Sequence, residues 1–318
     1  MSDAYRVPAI QVTGLSKSFG STIALDALSL DIGRGELFGL IGPDGAGKTT
    51  LIRILVTLLR PDAGQAIVLG RDVVSRFREL RNLVGYMPGR FSLYPDLSVA
   101  ENLRFFASVF GTSVEAEMAN IAAIYRQIEP FATRRARDLS GGMKQKLALC
   151  CALVHRPEIL FLDEPTTGVD AVSRREFWDL LGELRQGGLT VFVSTPYMDE
   201  ATRCDRVALI HGGRLLAVDA PAAIIATFDR PLIGVRAAAR YRLLQTLRTF
   251  PTHRTVQPFG ETLHYTDRRD DVDSARLQQE LAGFLHQHQF DDVWVGPVTP
   301  TVEDVFMERM GKAQGATP

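Results

Sequence analysis

Apolar residues fall in two kinds of run along this chain. Uninterrupted runs occur at Leu37-Phe38-Gly39-Leu40-Ile41, Leu83-Val84-Gly85-Tyr86-Met87, Ile159-Leu160-Phe161-Leu162 and Leu189-Thr190-Val191-Phe192-Val193. They are the length of strands and lack alternation, so they read as strands buried on both faces. Alternating runs occur at Ile10–Leu15, read as an edge strand, and at Leu28–Ile32, with Gly33-Arg34-Gly35 read as a hairpin turn. Pro61-Asp62-Ala63-Gly64 is a turn, and 65–70 a short strand. Helical spacing appears at Leu51, Ile54, Leu55, Leu58 and Leu59, up to Pro61, and again at Leu147, Cys150, Cys151, Leu153 and Val154. Ser98, followed three residues on by Glu101, caps a helical insert that runs to about Arg137. Two short runs, 206–210 and 215–218, read as a hairpin across His211-Gly212-Gly213-Arg214.

After Ala220-Pro221 the pattern changes. Asp229-Arg230-Pro231 marks the expected boundary between a domain at 8–228 and a small α+β domain at 229–318. In the latter, strands are expected at 232–236 and 293–295, and helices at 241–247 and 273–286. A last helix is expected to follow Thr301, its acids Glu303 and Asp304 in the first turn.

Composition narrows the picture. A length of 318 residues suits roughly two domains. With 46% hydrophobic and 23% charged residues the chain has ample core for a globular protein. A formal net charge of -1 gives no basic excess, and no nucleic-acid partner is expected. The 3 cysteines, Cys150, Cys151 and Cys204, suit a reduced, cytoplasmic setting. The stretch from Met1 to Arg6 has no signal-peptide layout, and no apolar run is long enough to span a membrane.

Two stretches carry chemistry. The first, Gly42-Pro43-Asp44-Gly45-Ala46-Gly47-Lys48-Thr49-Thr50, joins a buried strand to a helix. It fits the phosphate-loop pattern G-x-x-x-x-G-K-[ST] in the required context. Its glycines let successive N–H groups point into one cavity, beside the positive end of the helix dipole. Lys48 is expected to reach the β- and γ-phosphates, and Thr49 to offer its hydroxyl to Mg²⁺. The second is the strand that ends in Asp163-Glu164-Pro165. Paired acids at the end of a buried strand are costly unless water or metal serves them. Between the two, Leu139-Ser140-Gly141-Gly142-Met143-Lys144-Gln145 opens a helix with Ser140 as its cap.

Together and in this order, these stretches and the turn Gly168-Val169-Asp170 resemble the nucleotide-binding domain of an ABC transporter. Leu-Ser-Gly-Gly discriminates, since other P-loop NTPases lack it. The resemblance covers about residues 8 to 225. It is greatest to ATPases of drug and antibiotic exporters served by separate ABC-2-type permeases. It implies a P-loop NTPase core of α/β class with an antiparallel β subdomain and a helical subdomain. The tail resembles the C-terminal extension of many such ATPases.

The resemblance also implies roles. Phe19 would stack on adenine. Gly42 to Thr50, with Lys48, would hold the phosphates of ATP. Thr49 and Asp163 would place Mg²⁺, and Glu164 would act as general base. Ser140, Gly141 and Gly142 would complete the site of a second ABC ATPase domain, in a homodimer or heterodimer. Phe91, Leu93 and Tyr94 would lie near the groove for the permease. The expected location is peripheral, on the cytoplasmic face of the cell membrane. Cargo is read by the membrane chain and is not legible here. Two rivals stand: a regulatory, hydrolysis-deficient half of a heterodimer, and a soluble ABC ATPase outside transport.

Three positions depart from the family's pattern. Gly89 stands where the family has Gln, Pro196 where it has His, and Asp44 where it usually has Asn. Proline carries neither a side-chain donor nor an N–H, so Pro196 cannot hold a γ-phosphate. The expectation is a site that binds ATP and hydrolyses it slowly. His155 and His211 are expected on the surface rather than as substitutes.

Overall fold

A computed structural model describes residues 7–89, 92–269 and 271–315. The chain divides into two units, one formed by the chain up to Pro221 and from Arg309 on, the other by Ala222–Glu308. In chain order the first unit contains β1 (Ile10–Phe19), β2 (Thr22–Ile32), β3 (Leu37–Ile41), α1 (Lys48–Leu55), β4 (Ala63–Val68), β5 (Arg71–Asp72), α2 (Phe77–Leu80) and β6 (Val84–Met87). It continues with α3 (Val99–Val109), α4 (Val114–Tyr125), α5 (Gly141–Leu153), β7 (Ile159–Asp163), α6 (Ala171–Gln186), β8 (Thr190–Thr195), β9 (Arg206–His211) and β10 (Arg214–Asp219).

The four uninterrupted apolar runs are the neighbouring strands β3, β8, β7 and β6 of a sheet ordered β10-β9-β3-β8-β7-β6, in which β6 is one edge. β9, β3, β8, β7 and β6 run parallel, and β10 closes one edge as the antiparallel hairpin partner of β9. Every residue of β3, β7 and β8 is buried, which is why these strands do not alternate. Phe38, Phe192 and Phe161 lie on three neighbouring strands, with ring centroids 5.7 and 5.6 Å apart. Parallel register sets the C-terminal ends of these strands level: Ile41 pairs with Thr195 and Asp163 with Ser194.

A second sheet, β2-β1-β4-β5, is antiparallel. Here β1 is not the edge strand that its alternation suggests, since β2 and β4 pair on either side of it. Alternation reports one solvated face, not an unpaired edge. Gly33-Arg34-Gly35 is likewise a turn but not a hairpin, because β2 and β3 belong to different sheets. Glu36 accepts the Gly33 N–H at 2.7 Å, and Thr190 Oγ1 accepts the Gly35 N–H at 2.9 Å.

The insert between β6 and α5 is helical. Ser98 and Glu101 form a reciprocal capping box on α3, and Ser113 caps α4. Helix α1 is shorter than its apolar spacing suggests. It ends at Leu55, Thr57 takes a left-handed φ of 66°, and the N–H groups of Leu58 and Leu59 return to the Arg53 carbonyl.

After α7 (Pro221–Ala226), the second unit comprises β11 (Ile233–Arg236), α8 (Arg240–Arg248), β12 (His253–Phe259), β13 (Thr262–Asp267), α9 (Ser274–Gln287) and β14 (Trp294–Pro297), and α10 (Val302–Gly315) starts within it. Its sheet, β12-β13-β11-β14, is antiparallel throughout. Leu243, Leu247, Leu277, Leu281 and Leu285 of the two helices α8 and α9 pack with Tyr265 in its core. The β12–β13 hairpin was not legible in the sequence: Pro258 interrupts its first strand, and Gly260 makes the turn at φ 52°.

Candidate functional site

The loop 42–50 leaves the end of β3 and enters α1. Gly42 is obligatory, since a Cβ there would lie 2.2 Å from the Ile210 carbonyl oxygen. At Gly47 the φ of 108° and the Ala24 carbonyl oxygen, 2.4 Å from a would-be Cβ, exclude a side chain twice over. Ala46 is buried, whereas Pro43 and Gly45 are exposed and Thr49 and Thr50 half-buried. Asp44 is 90% exposed, its Oδ1 3.9 Å from Lys48 Nζ. Turned outward, its charge is screened by water rather than set against the loop's centre.

Lys48 is 3% exposed. Its ammonium donates to the carbonyls of Gly42 at 2.8 Å and Pro43 at 3.0 Å, and pairs with Glu164 Oε1 at 3.0 Å. Thr49 Oγ1 donates to Asp163 Oδ1 at 3.1 Å. The loop cation, the loop hydroxyl and both strand-end carboxylates therefore meet at one place.

Ser194, which sequence reasoning passed over, fastens the carboxylates. Its hydroxyl donates to Asp163 Oδ1 at 2.7 Å and accepts the Glu164 N–H at 3.1 Å, while its carbonyl accepts the same N–H at 3.0 Å. Glu164 sits at φ 51°, a left-handed conformation that turns it out of the strand direction. The sequence signal, had it been used, was a pair of hydroxyls ending an otherwise apolar strand.

A cavity of about 560 Å³ opens here, lined by Thr49, Arg53, Tyr86, Pro88, Gly89, Asp163 and Glu164. Arg53 and Tyr86 were not anticipated in it. Burial, and then the Asp163 charge, raise the Tyr86 phenol above its usual range, against the Arg53 charge that lowers it. The donor set fits Mg²⁺: one hydroxyl and one buried carboxylate, with room for phosphate and water oxygens. Among the described residues no cluster of three or more His, Cys, Asp or Glu could hold a metal on its own.

Other expected site residues lie outside this cavity. Phe19 ends β1, is 52% exposed, and has Lys17 Nζ 5.7 Å from its ring centroid. Ser140 caps α5 by accepting the Met143 N–H, Gly141 is exposed, and a Cβ on Gly142 would meet Ser173 Oγ at 2.6 Å. Leu93 is buried, so it cannot present itself to a partner. Tyr94 is exposed and packs edge-on against Phe105 at 4.6 Å. Phe91 and residues 1–6 lie outside the described residues.

The departures have a structural setting. A Cβ on Gly89 would lie 2.8 Å from the Asp163 carbonyl oxygen. The loop runs too close to β7 for any side chain to be added without backbone movement. Beyond β8, buried Glu200 accepts hydrogen bonds from Thr166 and Thr195, and Thr195 Oγ1 accepts the Tyr197 N–H at 3.1 Å. Pro196 thus sits in a loop fixed on both sides. His155 is not a surface residue: it is half-buried, stacked on Phe110 at 3.7 Å, with Nε2 3.1 Å from the Val84 carbonyl. Burial holds its pKa below the usual value. It is not among the residues lining the cavity at Glu164.

Comparison with known proteins gives consistent matches. A family model described as ABC transporter matches residues 25–167. Over 310 residues the chain is 36% identical to the Nod factor export ATP-binding protein I of Burkholderia orbicola (strain AU 1054), covering 96% of this chain and 98% of that protein. It is 44% identical over 214 residues to the probable multidrug ABC transporter ATP-binding protein YbhF of Escherichia coli (strain K12). That match covers 67% of this chain but only 37% of that longer protein. Among solved structures, an ATP-binding subunit of an ABC transporter superposes with a TM-score of 0.63 at 27% identity, over 69% of this chain and 93% of that one. A dimeric ATP-binding cassette in a post-hydrolysis state, bound to ADP and phosphate, gives 0.60 at 25% identity, over 66% and 98%.

Proposed function

This chain belongs to the ABC transporter family as an ATP-binding subunit and ATPase, and from that premise we propose that it drives export through a separate ABC-2-type membrane permease. The observation that carries the reading is the convergence of Lys48, Thr49, Asp163 and Glu164, with Nζ 3.0 Å from Glu164 Oε1 and Oγ1 3.1 Å from Asp163 Oδ1. An incoming triphosphate competes with Glu164 for the Lys48 ammonium. Lys48 then turns to the phosphates, and Glu164 is freed to accept a proton from the attacking water. Thr49 and Asp163 would hold Mg²⁺, which neutralises charge on the phosphate oxygens. Ser194 keeps Asp163 and Glu164 in register while this exchange occurs.

Ser140, Gly141 and Gly142 complete the site of a second ATPase domain, and Phe19 takes the adenine ring. Export as the task is supported by the names of the relatives, a Nod factor export protein and a probable multidrug transporter. Among the described residues no helix is long and apolar enough to cross a membrane. On the proposed reading the permease supplies the spans, and the chain sits peripherally on the inner face. The test is Mg²⁺-dependent phosphate release by the purified chain with its permease. Glu164→Gln is expected to cut release at least a hundredfold while ATP binding persists. Undiminished release by the variant, with wild type well above the enzyme-free background, would refute the assignment of Glu164.

One observation favours a second reading, in which this chain's own site turns over slowly and a different ATPase supplies the faster one. Gly89 is closed off by the Asp163 carbonyl, and Pro196 offers no donor. Losing one preorganised donor costs on the order of 10²–10³ in rate. Release by wild type and by Glu164→Gln alike at the enzyme-free background supports this reading. Release well above it makes the chain a working homodimeric motor.

A further inference from the structure

Arg53 has no part in the reading above, yet its place is specific. It lies one helical turn after Thr49 on α1, so both side chains project to the same side of the helix. It lines the cavity that Thr49, Asp163 and Glu164 line, together with the bare backbone of Gly89. Arg53 is exposed, so its side chain could extend into bulk water, but it lines the cavity wall beside Tyr86, whose pKa its charge pulls down. A counter-charge to the two carboxylates is the simpler account, yet it does not explain the open volume that Arg53 shares with Thr49, Asp163 and Glu164. A planar fork of N–H donors is matched to phosphate oxygens. The two positions that lack side-chain donors, Gly89 and Pro196, leave that matching to another group.

We infer that Arg53, on the cavity wall beside Tyr86, contacts the terminal phosphate of ATP in this chain's own site and is the group by which the site distinguishes ATP from ADP. The inference rests on the ATP-binding reading proposed above. ADP lacks the phosphate that Arg53 meets, whereas Lys48 and the loop amides serve both nucleotides. The residue acts on binding of the triphosphate, ahead of any chemistry at Glu164.

The test is isothermal titration of the full chain with Mg²⁺-ATP and with Mg²⁺-ADP, for wild type, Arg53→Gln, Arg53→Lys and Lys48→Ala. The expected result for Arg53→Gln is ATP affinity reduced on the order of tenfold, with ADP affinity within about twofold of wild type. Arg53→Lys should recover part of the loss, since charge is kept and the fork is not. Equal weakening of both nucleotides, or of neither, overturns the inference. Lys48→Ala should weaken both nucleotides. If wild type binds neither nucleotide, or Lys48→Ala changes nothing, the ATP-site reading itself fails and the inference falls with it. Arg53 is exposed, so Arg53→Gln should fold, and an unchanged thermal midpoint confirms it.

Discussion

Replacing Ser194 with Ala removes one oxygen from the centre of the first unit. That oxygen makes two bonds, 2.7 Å to Asp163 Oδ1 and 3.1 Å from the Glu164 N–H. The second is duplicated, because the Ser194 carbonyl takes the same N–H at 3.0 Å. The loss therefore falls on Asp163, which is 3% exposed and is left with the Thr49 hydroxyl at 3.1 Å as its side-chain donor among the described residues. A hydrogen bond to a charged group contributes about 1.5–3 kcal/mol, so a destabilisation of about 2 kcal/mol is expected. Urea unfolding should show a lower midpoint with an unchanged slope, since the surface exposed on unfolding is the same. At roughly 2–4 °C per kcal/mol the thermal midpoint should fall by about 4–8 °C. Phosphate release should fall more than ATP affinity, because Lys48 and the loop amides are untouched. A stability loss below about 0.5 kcal/mol would falsify the claim that Ser194 fastens the carboxylates. Loss of ATP binding in step with release would show that Ser194 shapes the loop instead.

Two further predictions test other parts of the chain. In the second unit, burial alone would raise the Asp267 carboxyl, but hydrogen bonds from the Arg269 side chain and amide, Thr252 and Tyr265 outweigh it and hold the pKa at about 2. A depressed folded pKa gives stability that is present above the unfolded value of about 4 and lost as pH falls toward 2. Asp267→Asn should therefore cost about 2 kcal/mol at pH 7 and little at pH 2, read by unfolding of the full chain at both; an equal cost at both would contradict the reasoning. Gly89→Ala should destabilise the first unit by about 1–3 kcal/mol, because its Cβ meets the Asp163 carbonyl oxygen at 2.8 Å. If Gly89→Ala unfolds at the wild-type midpoint, the loop is freer than its contact with β7 implies.

Much of this protein was legible along the chain because the deciding physics is local. A buried parallel strand has to be apolar on both faces, so β3, β7 and β8 announced themselves without any partner in view. The loop at 42–50 needs glycine where carbonyls crowd it, and Lys48 and Thr49 at fixed offsets from the helix start. Helix caps at Ser98 and Ser140 are satisfied within a few residues of themselves. What depended on distant chain was not legible. β1 alternates in the same way whether it is an edge or, as here, lies between β2 and β4. Ser194 is one hydroxyl in an apolar strand until parallel register sets it against Asp163. Arg53 is a solvated helix position by its spacing until the fold opens a cavity that it lines with Tyr86 and Gly89. His155 reads as surface until Phe110 stacks on it. Gly89 looks like a simple deletion of a side chain, and only the approach of the Asp163 carbonyl shows that the backbone has occupied the space. Sequence alone determined which residues could do phosphate chemistry, since that depends on donor type and short-range spacing. Tertiary structure decided which of them share one cavity, since that depends on strand order and register between segments more than a hundred residues apart, such as Thr49 and Asp163.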